Sequence, residues 1–182
     1  KRTDTTAPTV TSVSSTADNG TYGIGSVIPI TVTFSESVTV TGTPRLTLET
    51  GDTDITIDYS SGSGSSILTF NYTVSSGHVS DDLSVIDFLH GQGIGTIKDA
   101  SGNVATVTLP SPGATNSLSA NKNIVIDGVT PNVSSVSSSN DNGTYGNGDV
   151  INIAVTFSET VNVTGDPELR LETGSNDAAV EV

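Results

Sequence analysis

Along Val27-Ile-Pro-Ile-Thr-Val-Thr-Phe34 the apolar residues Ile28, Ile30, Val32 and Phe34 fall on alternate positions, so they share one face of an extended strand. The same period of two predicts strands over residues 9–14, 45–49, 55–59, 66–74, 83–88, 95–98, 104–109 and 123–126, with Leu68, Phe70, Tyr72 and Val74 pointing inward from the fourth of these. Turn formers separate them: Asp18-Asn-Gly20, Glu49-Thr-Gly51, the Ser60 to Ser65 run, Ser75-Ser-Gly77, Asp99-Ala-Ser-Gly-Asn103 and Pro110-Ser-Pro-Gly113. Pro29 lacks an N–H, so its strand is expected at an edge or with that position unpaired. The chain reads as all-β.

The pattern then occurs a second time. Pro8, Asp18-Asn-Gly-Thr-Tyr-Gly23, Val32-Thr-Phe-Ser-Glu36, Gly42, Pro44, Leu46 and Leu48-Glu-Thr-Gly51 return as Pro131, Asp141-Asn-Gly-Thr-Tyr-Gly146, Val155-Thr-Phe-Ser-Glu159, Gly165, Pro167, Leu169 and Leu171-Glu-Thr-Gly174. The offset is constant at 131 − 8 = 123 residues. Solenoid repeats are shorter, about 20–50 residues, whereas a small sandwich of about 100 residues plus a linker fits this spacing. The expected organisation is a complete sandwich over residues 1–127, then a linker and the opening half of a second over 128–182. The second copy reaches the counterpart of Tyr59, so three contexts are open: a longer natural chain, a trimmed fragment, or a half-domain completed by strands from a neighbour.

Composition narrows the function classes. Apolar residues make up 33% of the 182, which suits a thin two-layer core. Six Lys plus Arg stand against 20 Asp plus Glu, for a formal charge of −14. Such a surface repels phosphate backbones and anionic lipid, so neither nucleic acid nor membrane surface is an expected partner. No apolar run has the length of a membrane span. There is no Cys, which removes disulfides and thiolate metal sites.

Enzyme constellations are not evident. His78 and His90 sit near predicted loops outside any zinc or nucleophile motif, and both are expected at the surface. Gly91-Gln-Gly-Ile-Gly95 has no following Lys-Ser/Thr and reads as a turn. A carbohydrate-binding module would need exposed aromatic platforms, and Tyr22 and Tyr145 are the candidates, since Tyr59 and Tyr72 point inward.

The acids are the remaining chemistry. If strands simply alternate up and down, the loops carrying Asp18, Asn19, Glu49, Asp52, Asp54, Asp81, Asp82, Asp99 and Asn103 gather at the trailing end, which also emits Asp127. Glu159 then opens the next copy at the joint, with Asp141 repeating Asp18. Asp4 and Glu36 take the same parts at the leading end. Carboxylates converging on a joint repel, and a hard cation with six to eight oxygen ligands turns that repulsion into a clamp, for which Ca2+ is a better match than Mg2+. The competing explanation is that Asp-Asn-Gly and Asp-Ala-Ser-Gly-Asn are turn formers and nothing more.

The joint Asp4-Thr-Thr-Ala-Pro8, the Asp18-Asn-Gly-Thr-Tyr22 loop, Val32-Thr-Phe-Ser-Glu36, Gly42-Thr-Pro-Arg-Leu-Thr-Leu48, Lys98-Asp-Ala-Ser-Gly-Asn103 and Asn123-Ile-Val-Ile-Asp127 resemble the tandem bacterial immunoglobulin-like repeats of large surface and secreted proteins, calcium-dependent adhesins among them. That resemblance implies an immunoglobulin-like sandwich, an extracellular, non-enzymatic extender role beside neighbouring repeats or identical subunits, and Ca2+ at the joints. Any glycan or surface ligand would then belong to other modules. In it Asp4 and Asp127 match the linker acid, and Asp18 and Asp141 the loop acid. Ser26 departs from the pattern, since the second copy has Asp149 there. The rival expectations are a filament subunit completed by strand donation and a carbohydrate-binding module.

Overall fold

The computed structural model describes residues 3–181. The molecule is all-β, and its sheets are antiparallel apart from one strand pair. It divides into two compact units, residues 1–129 and 130–182.

The first unit contains β1 (Val10–Ser15), β2 (Gly20–Gly23), β3 (Val27–Gly42), β4 (Arg45–Glu49), β5 (Ile55–Ser61), β6 (Ser65–Thr73), β7 (Val79–Ser80), β8 (Ser84–Leu89), β9 (Gly95–Lys98), the short α1 (Leu118–Asn121) and β10 (Ile124–Asp127). The main sheet runs β1-β3-β6-β5-β4-β8, with β9 on the far half of β3, and a smaller sheet runs β2-β10-β7. β10 lies parallel to β2 and antiparallel to β7.

The main sheet folds over on itself. Phe70 of β6 and Phe88 of β8 are separated in it by two strands, which in a flat sheet puts them about 14 Å apart, yet their rings meet edge to face at 5.6 Å. Between the layers lie Ile28, Ile30, Val32 and Phe34 of β3, Leu68 and Tyr72 of β6, Leu46 and Leu48 of β4, and Ile124 and Ile126 of β10, all buried. Burying each such side chain stabilises by about 1.5–3 kcal/mol relative to leaving it exposed. The alternation read from the sequence is therefore the inside-outside alternation of the fold.

Four local expectations need correction. β3 does not stop at Phe34 but continues to Gly42, because beyond a break in its pairing with β6, between Thr33 and Val38, it finds a new partner in β9. The segment 104–109 makes isolated bridges instead of a strand, from Val104 to Lys98 and from Thr106 to Thr9. α1 follows a Pro- and Gly-containing stretch, capped by Ser117, whose hydroxyl accepts from the Ala120 N–H at 3.2 Å. β2 and β7 form inside segments that read as loops. As for Pro29, its strand is interior, flanked by β1 and β6, but the proline lies one residue past the last β1 partner pair, Ser15 with Ile30. Its carbonyl accepts from the Ser15 hydroxyl at 2.7 Å, and on its other side it is a partner of Asn71 in the β6 ladder, so the position is neither at an edge nor unpaired.

The second unit contains β11 (Val133–Ser138), β12 (Ile153–Phe157), β13 (Glu168–Leu171) and β14 (Ala178–Glu181), arranged as two separate hairpins, β11-β12 and β13-β14. The 123-residue offset holds pair by pair. Val10 faces Phe34 and Val133 faces Phe157, and a bulge follows at the same place in each, before Ser12 and before Ser135. Leu46 with Ile57 and Leu48 with Ile55 return as Leu169 with Val180 and Leu171 with Ala178. Tertiary bonds recur as well: Ser35 Oγ accepts from the Thr9 N–H and Ser158 Oγ from the Asn132 N–H, both at 3.0 Å.

Candidate metal centre

Asp4 lies in the segment before β1, where its Oδ1 accepts from the Thr6 N–H at 2.9 Å. The equivalent Asp127 repeats that turn with the Val129 N–H, at 3.2 Å. Each linker acid thus shapes its own backbone two residues on. Glu36 sits in the stretch of β3 between the Phe34 pair with β1 and the Thr39 pair with β9. Between the two ladders the inside-outside alternation continues from Phe34 to Val38, and it leaves Glu36 half-buried between exposed Ser35 and Ser37. Asp99 follows β9 directly, and because Lys98 pairs with Thr39, the strand returns it to the neighbourhood of Glu36.

Among the described residues, Asp4, Glu36 and Asp99 are the three acids whose carboxylate oxygens all come within 4.8 Å of one another. Asp99 is 5% exposed and closes its own turn: Oδ1 accepts from the Ser101 N–H at 2.9 Å and the Asn103 N–H at 2.7 Å. Its Oδ2 accepts from the Asn103 side-chain amide at 2.7 Å. The same amide nitrogen reaches the Asp4 carbonyl at 3.2 Å, which ties the leading segment to the turn after β9. Asn103 is in this way the organiser of the cluster.

The electrostatics of the three acids differ. Burial pushes the Glu36 carboxyl above its ordinary value, and the nearby negative charges of Asp4 and then Asp99 push it further. Burial also acts upward on Asp99, but the bonds from the Asn103 side chain and from the Asn103, Ser101 and Gly102 N–H groups hold its carboxyl below the ordinary value. Among the described residues the one ion pair is Arg45 with Asp58 at 2.9 Å, between exposed side chains, and none involves the three acids of the cluster. Three oxygen donors of this kind suit a hard divalent cation, which would neutralise the charge that Glu36 bears at a cost.

The other candidates stand elsewhere. Asp99 and Asn103 lie with Asp4 and Glu36 and not at the Asp127 end, a correction of the simple up-and-down arrangement caused by the pairing of β9 with the second half of β3. Asn19 Oδ1 accepts from the Asn123 N–H at 3.0 Å, bracing the start of β10, and the Asp18 carbonyl accepts from the Tyr22 hydroxyl at 2.8 Å. Asp127 is at the other end of β10, opposite Gly23, so a strand length of about 13 Å separates it from that loop. The Asp141 carbonyl accepts from the Tyr145 hydroxyl, as Asp18 does from Tyr22. Glu159, the counterpart of Glu36, has an Oε1 shielded from water and without a hydrogen-bond partner among the described residues.

The histidines also differ from expectation. His78 is half-buried, with its ring stacked on Tyr72 and its Nδ1 2.9 Å from the Tyr72 hydroxyl. Burial pushes that hydroxyl up to about 12. His90 is half-buried too, edge-on to Phe88.

All three acids were legible as candidates, but not as one group, because period-two alternation carries no information on which strand accepts β9. The Asp4 and Asp127 equivalence was the available signal for a conserved role of the joint segment within the repeat. No family model, no curated protein and no solved structure matches the chain.

Proposed function

We propose that the chain is a segment of a tandem array of immunoglobulin-like β-sandwich repeats in a secreted or cell-surface protein, a non-enzymatic spacer whose joint segments are stiffened by Ca2+. The observation that carries this is the recurrence of the same strand pairs, in the same register and with the same bulge, at a fixed offset. Duplicating a whole unit adds length without adding a new site. Asp4, Glu36 and Asp99 would hold the cation. Since Asp4 belongs to the joint segment and the other two to the body of the domain, a shared ion would remove the freedom of the segment relative to the sandwich. In sequence, Asp127 and Glu159 repeat Asp4 and Glu36.

Thermal unfolding of the full chain in excess Ca2+ and in chelator tests this. At about a hundredfold excess over Kd, mass action adds about 2.7 kcal/mol to the folded state, so the transition of the first unit should move upward by several degrees. Mg2+ should do less, because it demands near-octahedral geometry. Glu36→Gln should abolish most of the shift. Superimposable melting curves with Ca2+ and with chelator would overturn the calcium assignment.

A further inference from the structure

The connection between β6 and β7 grips the last residues of the first unit. The Gly128 N–H donates to the His78 carbonyl at 2.7 Å and the Gly77 N–H to the Gly128 carbonyl at 2.9 Å, while the His78 N–H closes the turn on the Ser75 carbonyl at 3.1 Å. Gly128 fits because it has no side chain: a Cβ there would run into the Ser75 and His78 carbonyl oxygens. β7 adds the Val79 pair with Asp127, so the exit of the chain toward the second unit is held by residues 75–80.

That turn is itself held by one ring atom. His78 Nδ1 lies 2.9 Å from the Tyr72 hydroxyl and accepts from the Ser75 N–H at 3.3 Å, with the two rings stacked at 5.8 Å. A backbone N–H can only donate, so Nδ1 carries no proton here and the hydrogen of the neutral ring is on Nε2. Tyr72 is fully buried, and its hydroxyl, pushed up to about 12, keeps its proton and donates to the same lone pair. A further proton reaching the ring must therefore go to Nδ1. The Tyr72 hydroxyl can then turn and accept from the new N–H, but the Ser75 N–H is fixed in the backbone and meets it hydrogen to hydrogen.

The ionisable groups on the segments packed here are Tyr72 on β6, Asp127 on β10, and Glu49, Asp52 and Asp54 in the loop whose Thr50 carbonyl accepts from the Val79 N–H at 3.0 Å. No Lys or Arg lies on β6, β7, β10 or the 74–78 connection, so these segments bring no like charge against a protonated ring. We propose that His78 is an acid-sensitive latch on the exit from the first unit: unprotonated, it locks the 75–78 turn around Gly128, and protonation at Nδ1 breaks the Ser75 bond and releases residues 127–129. The latch lies within the first unit and needs neither Ca2+ nor a tandem array, so each reading can fail alone.

The test follows the full chain by NMR in chelator from about pH 8 to about pH 5, the span in which imidazole side chains gain charge. It reads the ring nitrogens of both histidines and the protection of backbone amides, corrected for intrinsic exchange. Protection of Gly77 and Gly128 should fall by about tenfold or more in step with the His78 ring, while Ile30 and Val32 in the middle of β3 hold theirs. In His78→Asn, whose side-chain oxygen can accept from Ser75 but takes up no proton, protection should be the same at both ends of the range. Should that variant fail to fold, the parent decides alone, because the Gly128 change must track the His78 ring and not the His90 ring. Gly128 protection that ignores pH, a fall that tracks His90, an equal fall in His78→Asn, or a fall shared by Ile30 and Val32 would overturn the proposal.

Discussion

The carboxylates of Glu36 and Asp99 approach within 4.8 Å of one another, and the fold treats them oppositely. Asp99 is engaged by the N–H groups of its turn and the Asn103 amide, while Glu36 meets the charge of Asp4 and Asp99 without a hydrogen-bond donor among the described residues.

Their pH responses should therefore have opposite signs. Glu36 titrates above its unfolded value, so the folded state holds the extra proton, and the stability from this group is present in acid and lost as pH rises through the folded pKa. Asp99 titrates below its unfolded value, so its contribution is present above the unfolded pKa and lost as pH falls through the folded one. Without calcium, Glu36→Gln should raise the melting temperature at neutral pH, with the gain shrinking as pH falls below the ordinary carboxylate range. Asp99→Ala should lower it at neutral pH by breaking the turn. A Glu36→Gln protein that melts lower than the parent in chelator at pH 7 would contradict this account.

Gly42 makes a second test. It pairs with Gly95 at the far end of β3, at φ 79°, and a Cβ there would stand 2.7 Å from the Ile94 carbonyl oxygen and 2.9 Å from the Gly95 Cα. Both obstacles are backbone and cannot swing aside. Gly42→Ala should cost about 1–3 kcal/mol from the backbone conformation alone, and more from the clash. Gly102→Ala, at φ 93° with nothing within 4 Å, should cost less. Chemical denaturation of the two variants separates the terms, and equal losses would mean that the close approach is immaterial.

One exposed cross-strand pair changes from unlike to like charges between the repeats. Arg45 faces Asp58 across β4 and β5, whereas Glu168 faces Glu181 across β13 and β14. Like charges directly opposite destabilise a ladder, and an opposite pair contributes about 0.2–1 kcal/mol. Glu181→Arg should slow amide exchange in β13 and β14 by an amount in that range, an effect that fades as salt is added. No change at low salt would show that the side chains splay apart.

Much of this was legible along the chain. Ile28, Ile30, Val32 and Phe34 announced β3 by period alone, and β4 and β9 keep the bounds that alternation drew, Arg45–Glu49 and Gly95–Lys98. The short strands β2 and β7 were hidden because each is held by β10, a partner about a hundred or about fifty residues away, and not by its own pattern. The segment 104–109 failed in the other direction: it alternates well, yet it finds only single bridges, and a strand without a ladder is no strand.

Local chemistry, written in side-chain order, determined that the chain is β, where its turns fall, and that one unit follows another at a constant interval. Only tertiary pairing decided that β3 outruns its first partners, that β9 meets its second half, and that Asp99 and Asn103 consequently join Asp4 and Glu36 instead of the acids near Asp127. The physical reason is that alternation specifies which way a side chain faces, whereas the neighbour it faces is set by long-range hydrogen-bonded ladders that no short window of sequence contains.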